Sequence, residues 1–440
     1  MKLGFYRVDI TPTEPVPLTG YSNDDKRISN NVLSPLTASC IVFTDEADST
    51  ALLIQMDALL VPAWFTKELT EKISQATGLP VEHIVLHANH LHTTPNLSAK
   101  HHETIVRYDE MVFERITQCA VEALADRKLV TSAEKAKAYT KGLNFVRHYV
   151  LEDGTYKGDN FGELNDSPYQ GHTTEADPEM RLVKFHRVGG KDVVLANWQS
   201  HPHRTGGTLK KDVSADILGV MRDEMEAKLD SCVVYFNGAA GNINPTSRIP
   251  EENVAKTYID QGLALARHAL DAEGTYTPLA LGEVKVCAKT IWEPLNRPDP
   301  SILEACLKIR DYWRETNDSM ASKRLSHEYG INSQHAAMRF IDRINMKEEG
   351  FNYPFTAVRV GDMGFMAVPY EMFDTNAQYV RENSPFAQTF VASCCGTYLN
   401  YVPSAYGYLH GCYETDSTRA CPGAGERFAY AMVRMLRSLK

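Results

Sequence analysis

The sequence predicts an α/β fold in which a mixed β-sheet core is flanked by helices. Three observations carry this. Short apolar runs rich in β-branched residues recur along the chain, stretches of helical period stand between several of them, and polar clusters begin where many of the runs end.

The first run, Arg7-Val8-Asp9-Ile10-Thr11-Pro12, reads as a strand feeding a turn-rich stretch and then Gly20-Tyr21-Ser22, the composition of a loop at a pocket rim. Thr50–Met56 is the next strand, ending on Asp57, which suits either a turn residue or a partner to a metal ligand. Helical spacing over Trp64–Ala76 stops near Gly78 and Pro80, and His83–His87 returns to strand. Glu103–Ala125 is a helix, placing Val112, Ile116, Cys119 and Ala123 on one side. From Lys135 to Thr174 the pattern loosens into what is expected to be a long functional loop. Asp177–Phe185 and Asp192–Trp198 are strands, the second ending at His201-Pro202-His203. Ser214 and Asp216 precede a helix over Ile217–Leu229 and read as its cap or as catalytic groups. Ser231–Phe236 is a buried strand running into Asn237-Gly238-Ala239-Ala240-Gly241-Asn242. A helix over Glu252–Asp271, a strand over Leu279–Thr290 and a charged surface helical pair inserted at about 300–349 follow. Phe355–Val360 and Gly364–Pro369 make a hairpin ending at Tyr370-Glu371, Thr389–Ser393 is a strand, and Phe428–Leu439 closes the chain as an amphipathic helix.

Bulk composition narrows the function. The 440 residues are 43% apolar and 23% charged, as expected of a globular chain, and are read as one catalytic domain spanning 1–440. A formal net charge of −10 with no basic run excludes nucleic acid as a general partner, so the expected partner is a small-molecule substrate, with homo-oligomers allowed. No run approaches the ~20 apolar residues that span a bilayer, so no stable membrane insertion is expected. Nine cysteines without a C-x-x-C repeat, and an N-terminus without a signal-peptide core, predict a cytoplasmic protein.

Chemistry gathers around His90-Leu91-His92-Thr93-Thr94-Pro95. In extended chain His90 and His92 share a face, so both can meet one metal ion, or one can bind it while the other handles a proton; both also suit backbone-bonded loop histidines. Candidate ligands follow other strands: His201, Glu371 and a tyrosine of the Tyr398–Tyr401 pair. Open α/β sheets gather sites at strand carboxyl ends, and two imidazoles with a carboxylate are a usual zinc set that iron or manganese also accept. The small residues after Phe236 let backbone N–H groups approach a developing oxyanion, making Gly238, Ala240, Gly241 and Asn242 candidate substrate-binding residues. Cys394-Cys395 reads as a pair of small buried residues.

These motifs, in this order, resemble the neutral/alkaline ceramidase family of zinc amidases. The resemblance runs through Arg7–Pro12 with Gly20-Tyr21, His90–Pro95, Asn197-Trp198 before His201-Pro202, Gly241–Pro245, Val368–Glu371, and Tyr401 with Tyr413-Glu414. It implies a ceramidase-like catalytic domain, zinc held by His90, His201, Glu371 and Tyr401 (chosen over Tyr398), and His92 and Arg147 beside the substrate. Tyr408 and Tyr413 of the tyrosine-dense loop complete the candidate catalytic set. Two departures stand out. Ala240 stands where the family N-S-G-D-x-S-P-N motif has its serine, and the family's C-terminal immunoglobulin-like domain is expected to be missing. The expected substrate is therefore smaller and more polar than ceramide.

The expected reaction is hydrolysis of an amide, with ester or lactone as a weaker option, by water whose pKa zinc lowers to about 7. His92 moves the proton, while Arg147 and the Gly238–Gly241 backbone hold developing charge. The alternatives are a metal-dependent lyase or isomerase using the same groups, and a non-catalytic binding protein.

Overall fold

The computed structural model describes residues 1–21, 26–159, 167–411 and 413–440; Ser22 of the expected rim loop lies outside them. The apolar runs form strands of two sheets. The larger contains β1 (Lys2–Asp9), β2 (Thr37–Thr44), β3 (Thr50–Met56), β4 (Ile84–Ala88), β5 (Lys128–Tyr139), β6 (Glu179–Arg187), β7 (Val193–Trp198) and β8 (Cys232–Asn237). Their order is β8-β7-β6-β5-β1-β2-β3-β4, with Thr277–Leu279 paired alongside β5. The pairs β3/β4 and β7/β8 are parallel and the others antiparallel, so the sheet is mixed. The smaller sheet is β9 (Val284–Pro294), β10 (Gly350–Val360), β11 (Met363–Ala367) and β12 (Gln388–Ala392), antiparallel except for β11/β12.

Strand side chains alternate between faces, and here both faces find apolar partners. Val42, Ile54, Val194 and Val233 pack with Phe65 of α1 (Ala63–Thr77), Ile116 of α2 (Glu103–Ala125), Met221 of α3 (Asp216–Leu229) and Leu265 of α4 (Tyr258–Asp271). Their strand neighbours Ile41, Phe43, Leu53, Leu195 and Val234 share a second core with Val358, Val360, Phe365 and Phe390 of the small sheet. On the far face of that sheet, Tyr353, Phe355 and Met366 join Val380 of helix Asp374–Glu382 and Phe428, Met432 and Leu436 of helix Ala424–Leu439. The layers are thus helix, sheet, sheet, helix.

Strand twist curls the large sheet until its two edges meet. The His87 ring of β4 packs 5.4 Å from Phe236 of β8, and its Nε2–H donates to the Asn237 carbonyl at 3.3 Å. The end of β12 closes on the same place: Ser393 N donates to Asn237 O at 3.2 Å and Ala88 N to Cys394 O at 3.2 Å. The carboxyl ends of β4, β7, β8, β11 and β12 therefore surround one point.

Several expectations change. The first strand begins at Lys2 and stops at Asp9. The stretch expected as a long loop holds the end of β5, the strand Phe145–Val146 paired with Ile243–Asn244, and a three-stranded sheet of His148–Leu151, Tyr156–Gly158 and Tyr169–His172. The helix expected from Glu252 starts at Tyr258, where Thr257 and Asp260 form a reciprocal capping box. The inserted stretch forms three helices, Leu303–Thr316, Ser319–Glu328 and Gln334–Asn345, around Cys306, Ile309, Ile331, Ala336 and Ala337. They brace the tyrosine loop through Asn332, which donates to Asp416 at 3.0 Å, and Arg343, which donates to the Thr418 carbonyl. Among the described residues no helix is long and apolar enough to cross a membrane.

Candidate active site

His90 follows β4 with φ +66°, a left-handed conformation that costs a non-glycine residue energy and has to be held by its surroundings. Leu91 N donates to Ala58 O and Asn89 N to Met56 O, both at 3.1 Å, and Asp57 accepts from the Asn89 side chain at 3.2 Å. Buried Asp57 also takes bonds from Thr37, Gln55 and Arg222, so it fixes the turn before the histidine. The His90 ring is oriented by Nδ1–H, which donates to Leu59 O at 3.0 Å. That leaves Nε2 facing Glu371 Oε2 at 3.2 Å.

His201, after β7, is arranged the same way. Its Nδ1–H donates to Ile243 O at 3.0 Å, and Nε2 stands 3.0 Å from the same Oε2 of Glu371. Glu371 is placed by the turn after β11, where Glu371-Met372 pairs in parallel with Tyr401-Val402 and Glu371 N donates to Asn400 O at 2.9 Å. Its other oxygen accepts the Tyr398 hydroxyl at 2.6 Å. His92 completes the cluster: ligand nitrogens of His90, His92 and His201 all lie within 4.8 Å of one another. The Gly20 turn covers His92 so closely that a Cβ on Gly20, where φ is +116°, would stand 2.5 Å from the His92 Cα.

Burial disfavours charge on all these groups, and the exceptions show where charge is compensated. Burial alone would lower the pKa of His90, but the Glu371 carboxylate outweighs it and holds the imidazole well above its usual value. Glu371 is correspondingly held well below the carboxylate range, against its burial, by His90 and His201. His201 falls to about 3 through burial and the adjacent Arg147 cation. His92 is pushed well down by burial and by the flanking imidazoles, so it is neutral. Tyr398 and Tyr401 are raised by burial and by Glu371, keeping both phenols protonated.

The donor set fits a divalent cation. Two imidazoles turn Nε2 toward one carboxylate oxygen while backbone carbonyls hold their Nδ1–H groups, an arrangement that fixes ligand tautomers in metal sites. His92 Nε2 is buried without a hydrogen-bond partner among the described residues, and Glu371 Oε2 faces the two imidazole Nε2 atoms. His90, His92 and His201 lie close enough together to hold such an ion, with Glu371 Oε2 beside two of them.

Arg147 approaches from the side of the tyrosine loop and is buried. Its Nε and Nη2 clamp Glu414 Oε1 at 2.6 and 2.5 Å, and Nη2 also donates to Gly241 O at 2.8 Å and to the Tyr401 hydroxyl at 3.4 Å. Nη1 makes only long contacts, 3.4 Å to His201 Nε2 and 3.4 Å to Asn244, and is the guanidinium edge nearest the imidazoles.

No protein-family model matches the sequence, and no curated protein matches it. Solved structures do. Neutral ceramidase from Pseudomonas aeruginosa superposes with a TM-score of 0.73 at 16% identity, over 100% of this chain and 74% of that one. A ceramidase complexed with C2 gives 0.72 at 14% identity, over 100% and 75%. The chain has the neutral ceramidase fold.

Within that fold the sequence-predicted residues are distributed unevenly. His90, His92, His201, Glu371 and Arg147 converge. Tyr401 lies beside them on Arg147, whereas the hydroxyl bonded to the carboxylate is that of Tyr398. Tyr413 packs its ring 5.6 Å from Tyr401. The Tyr408 hydroxyl donates to Ala420 O at 2.7 Å, so the structure does not commit it to the imidazole cluster. Within the Gly238–Gly241 backbone, Gly238 N donates to Trp198 O at 2.7 Å, Ala240 N to Gly238 O at 2.9 Å and Gly241 N to Met372 O at 2.8 Å, so these three donors hold the loop. Asn242 is likewise engaged, donating to Asp374 Oδ1 at 2.8 Å and accepting from Asp374 N at 3.0 Å. Gly241 is needed for close approach, since a Cβ there would stand 2.8 Å from Glu371 O. Ala240 walls a small cavity with His90, Glu371, Ser393 and Cys394.

Sequence reasoning missed Glu414 as a site residue. Nothing marked it beyond its place in the Tyr413-Glu414 motif, yet it is buried between Arg147 and His148, whose Nε2 lies 2.9 Å from Oε2. Ser214 and Asp216 serve the loop after His203: Ser214 Oγ accepts from Asp216 N at 2.9 Å, and Asp216 accepts from Thr205 N and Oγ, both at 2.6 Å.

Proposed function

We propose that this protein is a metal-dependent hydrolase that cleaves the amide bond of a small, polar N-acyl substrate, with zinc as the metal. The supporting observation is the convergence of His90 and His201 Nε2 on one Glu371 oxygen, with neutral His92 and cationic Arg147 beside them. When bound, the metal supplies Lewis-acid polarisation and acidifies water at neutral pH. The chain supplies the rest. His92 Nε2, without a partner among the described residues and kept neutral, accepts a proton and returns it to the departing nitrogen. Arg147, fixed by Glu414, offers Nη1 to negative charge developing on the scissile carbonyl oxygen. The Tyr398 hydroxyl orients Glu371. The fold shared with ceramidases supports an amide substrate, and the methyl of Ala240 means that no hydroxyl at that position takes part.

The test is elemental analysis of the purified protein followed by a panel of N-acyl substrates in ¹⁸O-labelled water. Bound zinc with label in the released carboxylate is expected. Turnover without label incorporation, or full activity of His201→Ala, would refute the proposal.

A further inference from the structure

Three successive carbonyls of one loop hold two groups of the candidate site. Gly241 O accepts from Arg147 Nη2 at 2.8 Å, Asn242 O from the Arg147 backbone N at 2.9 Å, and Ile243 O from His201 N and from His201 Nδ1–H, both at 3.0 Å. The guanidinium and the imidazole are therefore spaced by the course of residues 241–243. What holds those residues in turn comes from the segment that follows Glu371. Met372 O accepts from Gly241 N at 2.8 Å, and Asp374, in the first turn of helix Asp374–Glu382, takes hold of the Asn242 side chain.

That grip has two points. The Asp374 backbone N donates to Asn242 Oδ1 at 3.0 Å, and Asn242 Nδ2 donates to Asp374 Oδ1 at 2.8 Å. A backbone N–H can only donate, so it fixes which end of the amide is oxygen and leaves Nδ2 to the carboxylate. Asp374 is 0% and Asn242 3% exposed, so breaking the pair strands buried polar atoms, and a bond to a carboxylate is of the stronger kind. We propose that Asp374 is a positioning residue for the reaction: through Asn242 it sets the Arg147 guanidinium against His201, while Glu371, three residues earlier in the same segment, brings the carboxylate. The kinetic consequence rests on the amide-hydrolase reading, whereas the placement of Arg147 is read without turnover.

The test combines ¹H–¹⁵N spectra of the full chain labelled at arginine Nε with steady-state kinetics on the best substrate of the N-acyl panel. Arg147→Lys assigns the Arg147 Nε–H signal. Asp374→Ala should displace that signal and lower kcat by up to about 100-fold, the scale of a ~1 Å misplacement, with KM little changed because Arg147 meets charge that develops in the transition state. Asp374→Asn, whose amide oxygen accepts the same bond, should return the signal and most of kcat. So should Asn242→Asp/Asp374→Asn, which reverses the bond between the side chains, whereas Asn242→Asp alone sets two buried carboxylates together and should behave like Asp374→Ala. If Asp374→Ala does not fold, Asn242→Ala carries the test by cutting the same pair from its other side. An unmoved signal or wild-type kcat in Asp374→Ala, or a displaced signal that neither Asp374→Asn nor the double variant returns, would overturn the proposal. If the wild-type protein cleaves no amide, the hydrolase reading fails and the spectra still decide the role of Asp374 in placing Arg147.

Discussion

Glu414→Gln is the sharpest perturbation available, because it removes a charge without removing volume. The Arg147 and Glu414 side chains are 2% and 1% exposed and meet at 2.5 and 2.6 Å. The Arg147 pKa is raised because Glu414, followed by Tyr401 and Glu371, outweighs its burial. Breaking a buried pair on one side leaves an uncompensated charge, which costs about 3–5 kcal/mol, far more than the pair's net contribution. Urea unfolding followed by tryptophan fluorescence should therefore show Glu414→Gln destabilised by about 3 kcal/mol or more. Arg147→Met/Glu414→Gln should recover much of the loss, since no orphaned charge remains. The exposed Arg107–Glu14 pair, at 2.8 Å, is the internal control, and Glu14→Gln should leave unfolding unchanged. A Glu414→Gln protein within about 1 kcal/mol of wild type would refute the account of Arg147 as a buried, Glu414-dependent cation.

His201→Ala should lose the bound metal while keeping the fold, read by elemental analysis and circular dichroism; wild-type metal content would remove His201 from the ligand set. In chelated protein, His90 contributes stability that is full below roughly pH 6.5 and lost as pH rises through its raised folded-state pKa, and Glu371 contributes stability that is full above roughly pH 4.5 and lost as pH falls through its depressed folded-state pKa. The stability difference between chelated wild type and Glu371→Gln should therefore peak in that window, and a pH-independent difference would contradict the pairing. Gly241→Ala forces a Cβ to 2.8 Å from Glu371 O and should lower both metal retention and melting temperature, measured together by calorimetry; a silent substitution would show that the loop has slack.

Much of this was legible in the residues. Thr50–Met56 and Glu103–Ala125 are elements with the bounds their patterns suggest. The two-sheet layering was not, because strands such as β2 and β3 are apolar on both faces and so carry no alternation that names their partners. β5 escaped notice as far as Tyr139 because Glu134, Lys135 and Lys137 interrupt it, although Ala133, Ala136 and Ala138 are buried. Histidines and Glu371 announced themselves by type and by position after strands. The groups that orient them did not, since Leu59 and Ile243 act through carbonyl oxygens common to every residue. In the same way the partners of Gly238 N and Gly241 N, the carbonyls of Trp198 and Met372, come from the fold alone.

The site draws its groups from both sheets, with His90 and His201 after strands of the large one and Glu371 after a strand of the small one. During synthesis the histidines emerge long before the carboxylate, and the helices of residues 303–345 lie between them in the chain. A nascent chain that has not yet reached Glu371 holds the imidazoles without the carboxylate, so the site closes only when the second sheet is made. A cation held as proposed would tie together two layers whose site-bearing strands stand far apart in the chain.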